Sequence, residues 1–265
     1  MSKPTQPWIQ SPAVAHIAPL VLFMLLTESV KLFLVENSAL PWYQRTPEHW
    51  VYPVQCVIVG AVLLFFRKHY TLAPWRGLVL AAALATVGIA VWVLPAMLYR
   101  EGMPSWCEWL GVVKRDEGFD PSIFDTGSTT TVLSASEESR WLLVSHHPMA
   151  WWATVLARFF RMVIIVPLVE ELFWRGFLMR YVQAGDRDFR TVPFGQHTWK
   201  TFWIVTVAVT LIHNPSDYLG AFVWGSLMYF VAVKTKSLGA CVFMHAVGNL
   251  LLGLYVVQTK QWGFW

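Results

Sequence analysis

Apolar runs long enough to cross a lipid bilayer recur along nearly the whole chain, and no other feature constrains the fold as strongly. A spanning helix needs about 20 residues for the ~30 Å hydrocarbon core. Inside that core backbone polar groups are satisfied only in helices or closed barrels. Segments of about ten alternating residues, the mark of a barrel, do not occur. The expected fold class is therefore all-α, a polytopic transmembrane helical bundle. Seven spans are predicted, at Ala13–Val35, Val51–Phe66, Leu78–Leu98, Ala150–Tyr181, Thr201–His213, Tyr218–Val233 and Leu238–Val257. The fourth would extend about 48 Å at the helical rise of ~1.5 Å per residue, and Pro167 can kink it or split it. Seven to eight helices are thus open. Only 14% of residues are charged and 56% are hydrophobic, whereas a soluble domain carries about 25% charged residues. The 16 tryptophans suit interfacial belts.

Loop charge sets an expected orientation. Arg67, Lys68 and Arg76 follow the second span; Arg180, Arg187, Arg190 and Lys200 follow the fourth; Lys234 and Lys236 follow the sixth. These alternate loops are expected on the cytoplasmic side, with the C-terminus outside. Arg158 and Arg161 favour an interfacial start to the fourth span. The chain reads as one membrane domain, 1–265, with an extramembrane insert at about 99–140. That insert holds eight acids against four bases and is placed on the outer side as a loop or a lid. The net charge of +4 is spread over loops, with no basic aromatic patch for nucleic acid. Cys56, Cys107 and Cys241 have no CxxC spacing, so neither a disulfide framework nor a Cys-ligated metal is expected. The N-terminus does not read as a cleaved signal peptide, because Glu28 and Lys31 lie within its first apolar stretch.

Charges inside the fourth span need a reason. "VPLVEELFWRGFLMRYV", from Val166 to Val182, carries Glu170, Glu171 and Arg175 between apolar flanks. Each charge at the centre of a membrane helix costs roughly 2.5–3.5 kcal/mol, and intramembrane ionisable residues mark functional sites by default. Glu171 and Arg175, at i and i+4, can pair on one face; Glu170 is turned about 100° away and needs another neighbour. In a soluble helix the same pattern would be an ordinary solvated face. His213 ends the fifth span, and alone it reads as a hydrogen-bonded interfacial histidine. His245 and Asn249 are i, i+4 on the seventh span, where HxxxN alone can simply link helices; Gly248 and Gly253 would permit close helix approach. Together these residues form the inventory for amide hydrolysis without a covalent intermediate. A glutamate takes a proton from water, a histidine orients that water, and imidazole and amide N–H groups meet the oxyanion. HExxH and GxSxG are absent. His146 and His147 lack ligand spacing, and Glu28 with Lys31 reads as a structural i, i+3 pair.

Glu170-Glu171-x-x-x-Arg175, the helix ending in His213 and His245-x-x-x-Asn249 resemble the CAAX protease and bacteriocin-processing (CPBP, Abi) family of intramembrane glutamate endopeptidases. "GFDP" at Gly118–Pro121, "DFRTVPFG" at Asp188–Gly195, "TKSL" at Thr235–Leu238 and the terminal "QWGFW" are similar to its bacterial CAAX prenyl protease-related subgroup, associated with exosortase sorting systems. The resemblance implies Glu170 as general base with His213 as its partner. It implies His245 and Asn249 at the oxyanion, and Glu171 and Arg175 as a brace. Val209 stands where the family often has Phe, four residues before His213. The resemblance further implies a protein or peptide substrate, a bacterial inner membrane location, exosortase-type machinery as partner and no cofactor. Glu and His would also bind zinc, so metal dependence stays open. The alternative is a non-catalytic scaffold or immunity-like partner of a sorting system. A small transporter is a third reading, for which no inverted repeat is found.

Overall fold

The structure, a computed structural model, describes residues 11–35, 44, 46–100 and 148–265. Cys107, the "GFDP" stretch, His146, His147 and nearly all of the 99–140 insert lie outside the described residues.

Seven helices account for the seven predicted spans, and no strand occurs among the described residues. They are α1 (Pro12–Phe33), α2 (Glu48–Phe66), α3 (Leu78–Arg100), α4 (residues 148–184), α5 (Trp199–Leu211), α6 (Tyr218–Thr235) and α7 (Leu238–Thr259). All but α5 are long and apolar enough to cross a membrane. The starts follow local capping chemistry. Thr198 accepts from the Thr201 amide at the head of α5, and Ser237 accepts from the Ala240 amide at the head of α7. Lys236, in the left-handed region at φ 53°, ends α6 directly before Ser237, so α6 and α7 are joined by a two-residue turn.

The long fourth span is one continuous helix, not two. It passes from α-helix (Pro148–Phe160) through a π segment (Arg161–Ile165), an α segment (Val166–Glu171), a second π segment (Leu172–Leu178) and a final α turn (Met179–Ala184). Pro167 explains the first π segment. Its ring would clash with the carbonyl four residues back in regular α geometry, and the wider i→i+5 register accommodates it. Arg158 and Arg161, expected to mark an interfacial start, are instead buried between helices. Arg161 donates to Gln55 Oε1 at 2.7 Å and Thr27 Oγ1 at 3.1 Å, and its guanidinium lies over the Tyr52 ring. Gln55, itself fully buried, donates to the Phe23 carbonyl and to Thr27. A guanidinium in apolar surroundings is tolerable because these partners replace its hydration.

The largest cluster of buried apolar side chains joins α3 to α7 and holds Trp224 at its centre. Gly88 and Gly248 make room for that indole: a Cβ at Gly248 would lie 2.3 Å from Trp224 Cη2, and one at Gly88 would lie 2.7 Å from Cε3. Gly253 likewise receives Phe159. The three basic loops meet at one end of the bundle. The Tyr70 hydroxyl donates to the Ala15 carbonyl, Arg76 to the Thr235 carbonyl, the Gly239 amide to the Leu72 carbonyl, and Ser237 Oγ to the Pro74 carbonyl. The chain then leaves that end along α5 and reaches His213 at the other.

Candidate active site

At the end of the bundle away from the basic loops, α3, α4, α5, α6 and α7 enclose a cavity of about 270 Å³. All six residues singled out in the sequence line it: Glu170, Glu171, Arg175, His213, His245 and Asn249.

The two adjacent glutamates have opposite environments, as their rotation on the helix requires. Glu171 is fully buried, and its Oε1 accepts from Arg175 Nη1 at 3.2 Å and from His245 Nδ1 at 2.9 Å. Arg175 is 1% exposed, so this is a dry cluster in which each charge depends on the other. Glu171 Oε2 and Arg175 Nε and Nη2 have no further partner among the described residues. Glu170 is only partly buried and makes no hydrogen bond or ion pair among the described residues. It is thus a cavity carboxylate with no hydrogen-bond partner among the described residues, facing a wall that also carries Arg161.

Each histidine has one ring nitrogen engaged. His213 Nδ1 lies 2.7 Å from the Val209 carbonyl, an acceptor only, so Nδ1 carries the hydrogen and neutral imidazole leaves Nε2 as an acceptor. Because the contact is to backbone, Val in place of Phe at 209 does not disturb it. The Trp92 ring holds the other side of His213, edge-on with centroids 5.4 Å apart. His245 Nδ1 faces the Glu171 carboxylate and also acts as donor, while Trp224 stands edge-on at 5.8 Å. His245 can therefore present an Nε2–H only as imidazolium.

Asn249 Nδ2 donates to the Met162 carbonyl at 2.7 Å. This acceptor exists because of the π segment. The Val166 amide, which would serve Met162 in an α-helix, is bonded to the Arg161 carbonyl. The next candidate in the π register is Pro167, which has no N–H. Asn249 fills the gap and retains a second amide hydrogen for the cavity.

The sequence reading missed part of the wall. Arg158, Arg161, Trp92 and Trp224 also line the cavity, as do Asn214 and Asp217 on the short turn after His213. Two arginines three residues apart in an apolar run were a signal, but one also consistent with an interface. Among the described residues no group of three His, Cys, Asp or Glu side chains is placed to hold a metal ion.

Fold and cavity together define the class: a polytopic α-helical membrane protein whose charged residues turn inward on a shared cavity. Residues 151–251 match the family model for type II CAAX prenyl endopeptidases, Rce1-like. The matched stretch runs from α4 into α7 and contains all six residues, while α1 to α3 lie outside it. No curated protein and no solved structure matches the chain.

Proposed function

We propose that this protein is a membrane-embedded CAAX-type endopeptidase that hydrolyses a peptide bond of a membrane-associated protein with glutamate-activated water. The observation that carries the reading is the unequal pair of glutamates. Glu171 is locked to Arg175 and His245, whereas Glu170 makes no hydrogen bond among the described residues and lines the same cavity as His213. Glu170 takes a proton from water held between its carboxylate and His213 Nε2. The water oxygen bonds to the scissile carbonyl carbon. The resulting oxyanion is met by the second Asn249 amide hydrogen and by His245 as imidazolium. Glu170 then returns the proton to the leaving nitrogen as the C–N bond breaks. Glu171 and Arg175 hold His245 in place and do not touch the substrate.

The likeness of residues 151–251 to the Rce1-like family supports the reaction class. The stretches at Asp188–Gly195 and Thr235–Leu238 support the finer assignment, a bacterial inner-membrane enzyme working beside exosortase-type sorting machinery. With the basic loops cytoplasmic, as their charge predicts, this reading puts the scissile bond on the non-cytoplasmic side, at the end of the bundle opposite those loops.

Glu170→Gln removes the base and keeps the shape. Protein termini compared by mass spectrometry in wild-type, deletion and Glu170→Gln strains at matched protein levels test the reading. Specific cleaved termini should disappear in both altered strains. Cleavage that persists in Glu170→Gln beside a deletion phenotype overturns the catalytic assignment and favours the scaffold.

A further inference from the structure

A second cavity, of about 320 Å³, lies at the basic end of the bundle, remote from Glu170. Five residues on its wall carry or can carry positive charge: His16, His69, Arg180, Arg190 and Lys236. No carboxylate lines it among the described residues. Asp188, outside the wall, grips Arg190 with both oxygens at 2.6–3.1 Å and neutralises that one charge. Arg180 and Lys236 form no ion pair among the described residues. Arg180 donates to the Val192 and Arg190 carbonyls at 2.9 Å each, and Lys236 donates to the Gly195 carbonyl. Carbonyl oxygens fix the direction of these cations without cancelling their charge.

The cavity is preformed and sits at the level of the helix ends. Its wall comes from the first turns of α1, the segment after α2, the end of α4 with the loop after it, and the α6–α7 turn, the same elements that the loop hydrogen bonds tie together. The wall also carries apolar side chains, Ala73, Phe194 and Leu238. Two fixed positive charges and apolar side chains on one wall at a helix-end level suit an amphiphile with an anionic head. Basic pockets between helices on the cytoplasmic side hold anionic headgroups by this arrangement.

We propose that this cavity binds a phosphate headgroup, and that an anionic phospholipid of the surrounding leaflet supplies it. Arg180 and Lys236 hold the phosphate, and Phe194 and Leu238 contact the glycerol and first acyl carbons.

The test uses the full chain in detergent, with lipid occupancy followed by native mass spectrometry and thermal unfolding. Phosphatidylglycerol should bind and raise the unfolding temperature; phosphatidylcholine should do neither. Thr71, an exposed residue on the wall, gives a substitution that spares every hydrogen bond above. Thr71→Glu and Lys236→Met should each weaken phosphatidylglycerol binding about fivefold, and Thr71→Gln should leave it unchanged. Equal binding of the two lipids, or wild-type affinity in Thr71→Glu, overturns the site. Inorganic phosphate that displaces phosphatidylglycerol and gives the same thermal shift overturns the lipid source and assigns the cavity to a soluble phosphate.

Discussion

Two adjacent glutamates, one locked in an ion pair and one only lining the cavity, make opposite demands on substitution. Glu171→Gln leaves the Arg175 guanidinium buried without its counter-charge, and breaking such a pair costs roughly 3–5 kcal/mol. Thermal unfolding in detergent should therefore show Glu171→Gln strongly destabilised and Glu170→Gln nearly unchanged. Replacing both members, as Glu171→Leu with Arg175→Met, should recover most of the stability and none of the cleavage. A Glu171→Gln variant as stable as wild type would show that the fold does not depend on this ion pair. Much of this was legible in the residues themselves. The 100° rotation between Glu170 and Glu171 required two environments, and the i, i+4 spacing of Glu171 and Arg175 foretold their pairing. The second partner of Glu171 was not legible. Nothing in a one-dimensional pattern says that His245 would face the brace and not Glu170, because that depends on how α7 rotates against α4.

At the scale of elements, α4 shows how a single imino acid shapes a contact made by another helix. Pro167 imposes the π register, the register strands the Met162 carbonyl, and Asn249 answers it. The two side chains should therefore be energetically coupled although they do not touch. Asn249→Ala should cost about 1–3 kcal/mol by leaving that carbonyl unsatisfied. In a Pro167→Ala background, where an N–H is available to Met162, the same change should cost at least about 1 kcal/mol less. A double-mutant cycle by thermal unfolding measures the difference, and strict additivity would refute the link. The spans were readable from hydropathy, and the continuity of the fourth was not. Proline in a helix predicts a kink, a break or a bulge with equal ease. Which one occurs is settled by whether neighbouring helices, here α7, can satisfy the freed carbonyl. Arg158 and Arg161 illustrate the same limit: their burial depends on Gln55 and Thr27, on helices more than a hundred residues earlier in the chain.

For the whole molecule, the basic loops and the candidate active site occupy opposite ends. Asp188 contributes to the fixed charge there: its hydrogen bonds from Arg190 hold its carboxyl below the usual range, so that exposed pair persists until pH falls below ordinary carboxylate values. With the basic end cytoplasmic, a cysteine at Asn214 should react with a membrane-impermeant thiol reagent in intact cells, and one at Arg187 should react only after the membrane is opened. Cys107→Ser removes the native cysteine outside the apolar spans, since Cys56 and Cys241 are buried. Labelling in the reverse order would turn the cavity to the cytoplasm and change the pool of proteins that can reach it.

Trp224 has a consequence of a different kind. Its ring is wedged between Gly88 and Gly248 and stands edge-on to His245, so three helices share the space of one side chain. None of the three positions can drift alone. A methyl group at either glycine displaces the indole, and a smaller ring leaves a void beside the imidazole. As sequences of this kind diverge, Gly88, Trp224 and Gly248 are bound to change together or not at all, and their joint inheritance would trace the lineage of the site even where the surrounding apolar residues have been exchanged beyond recognition.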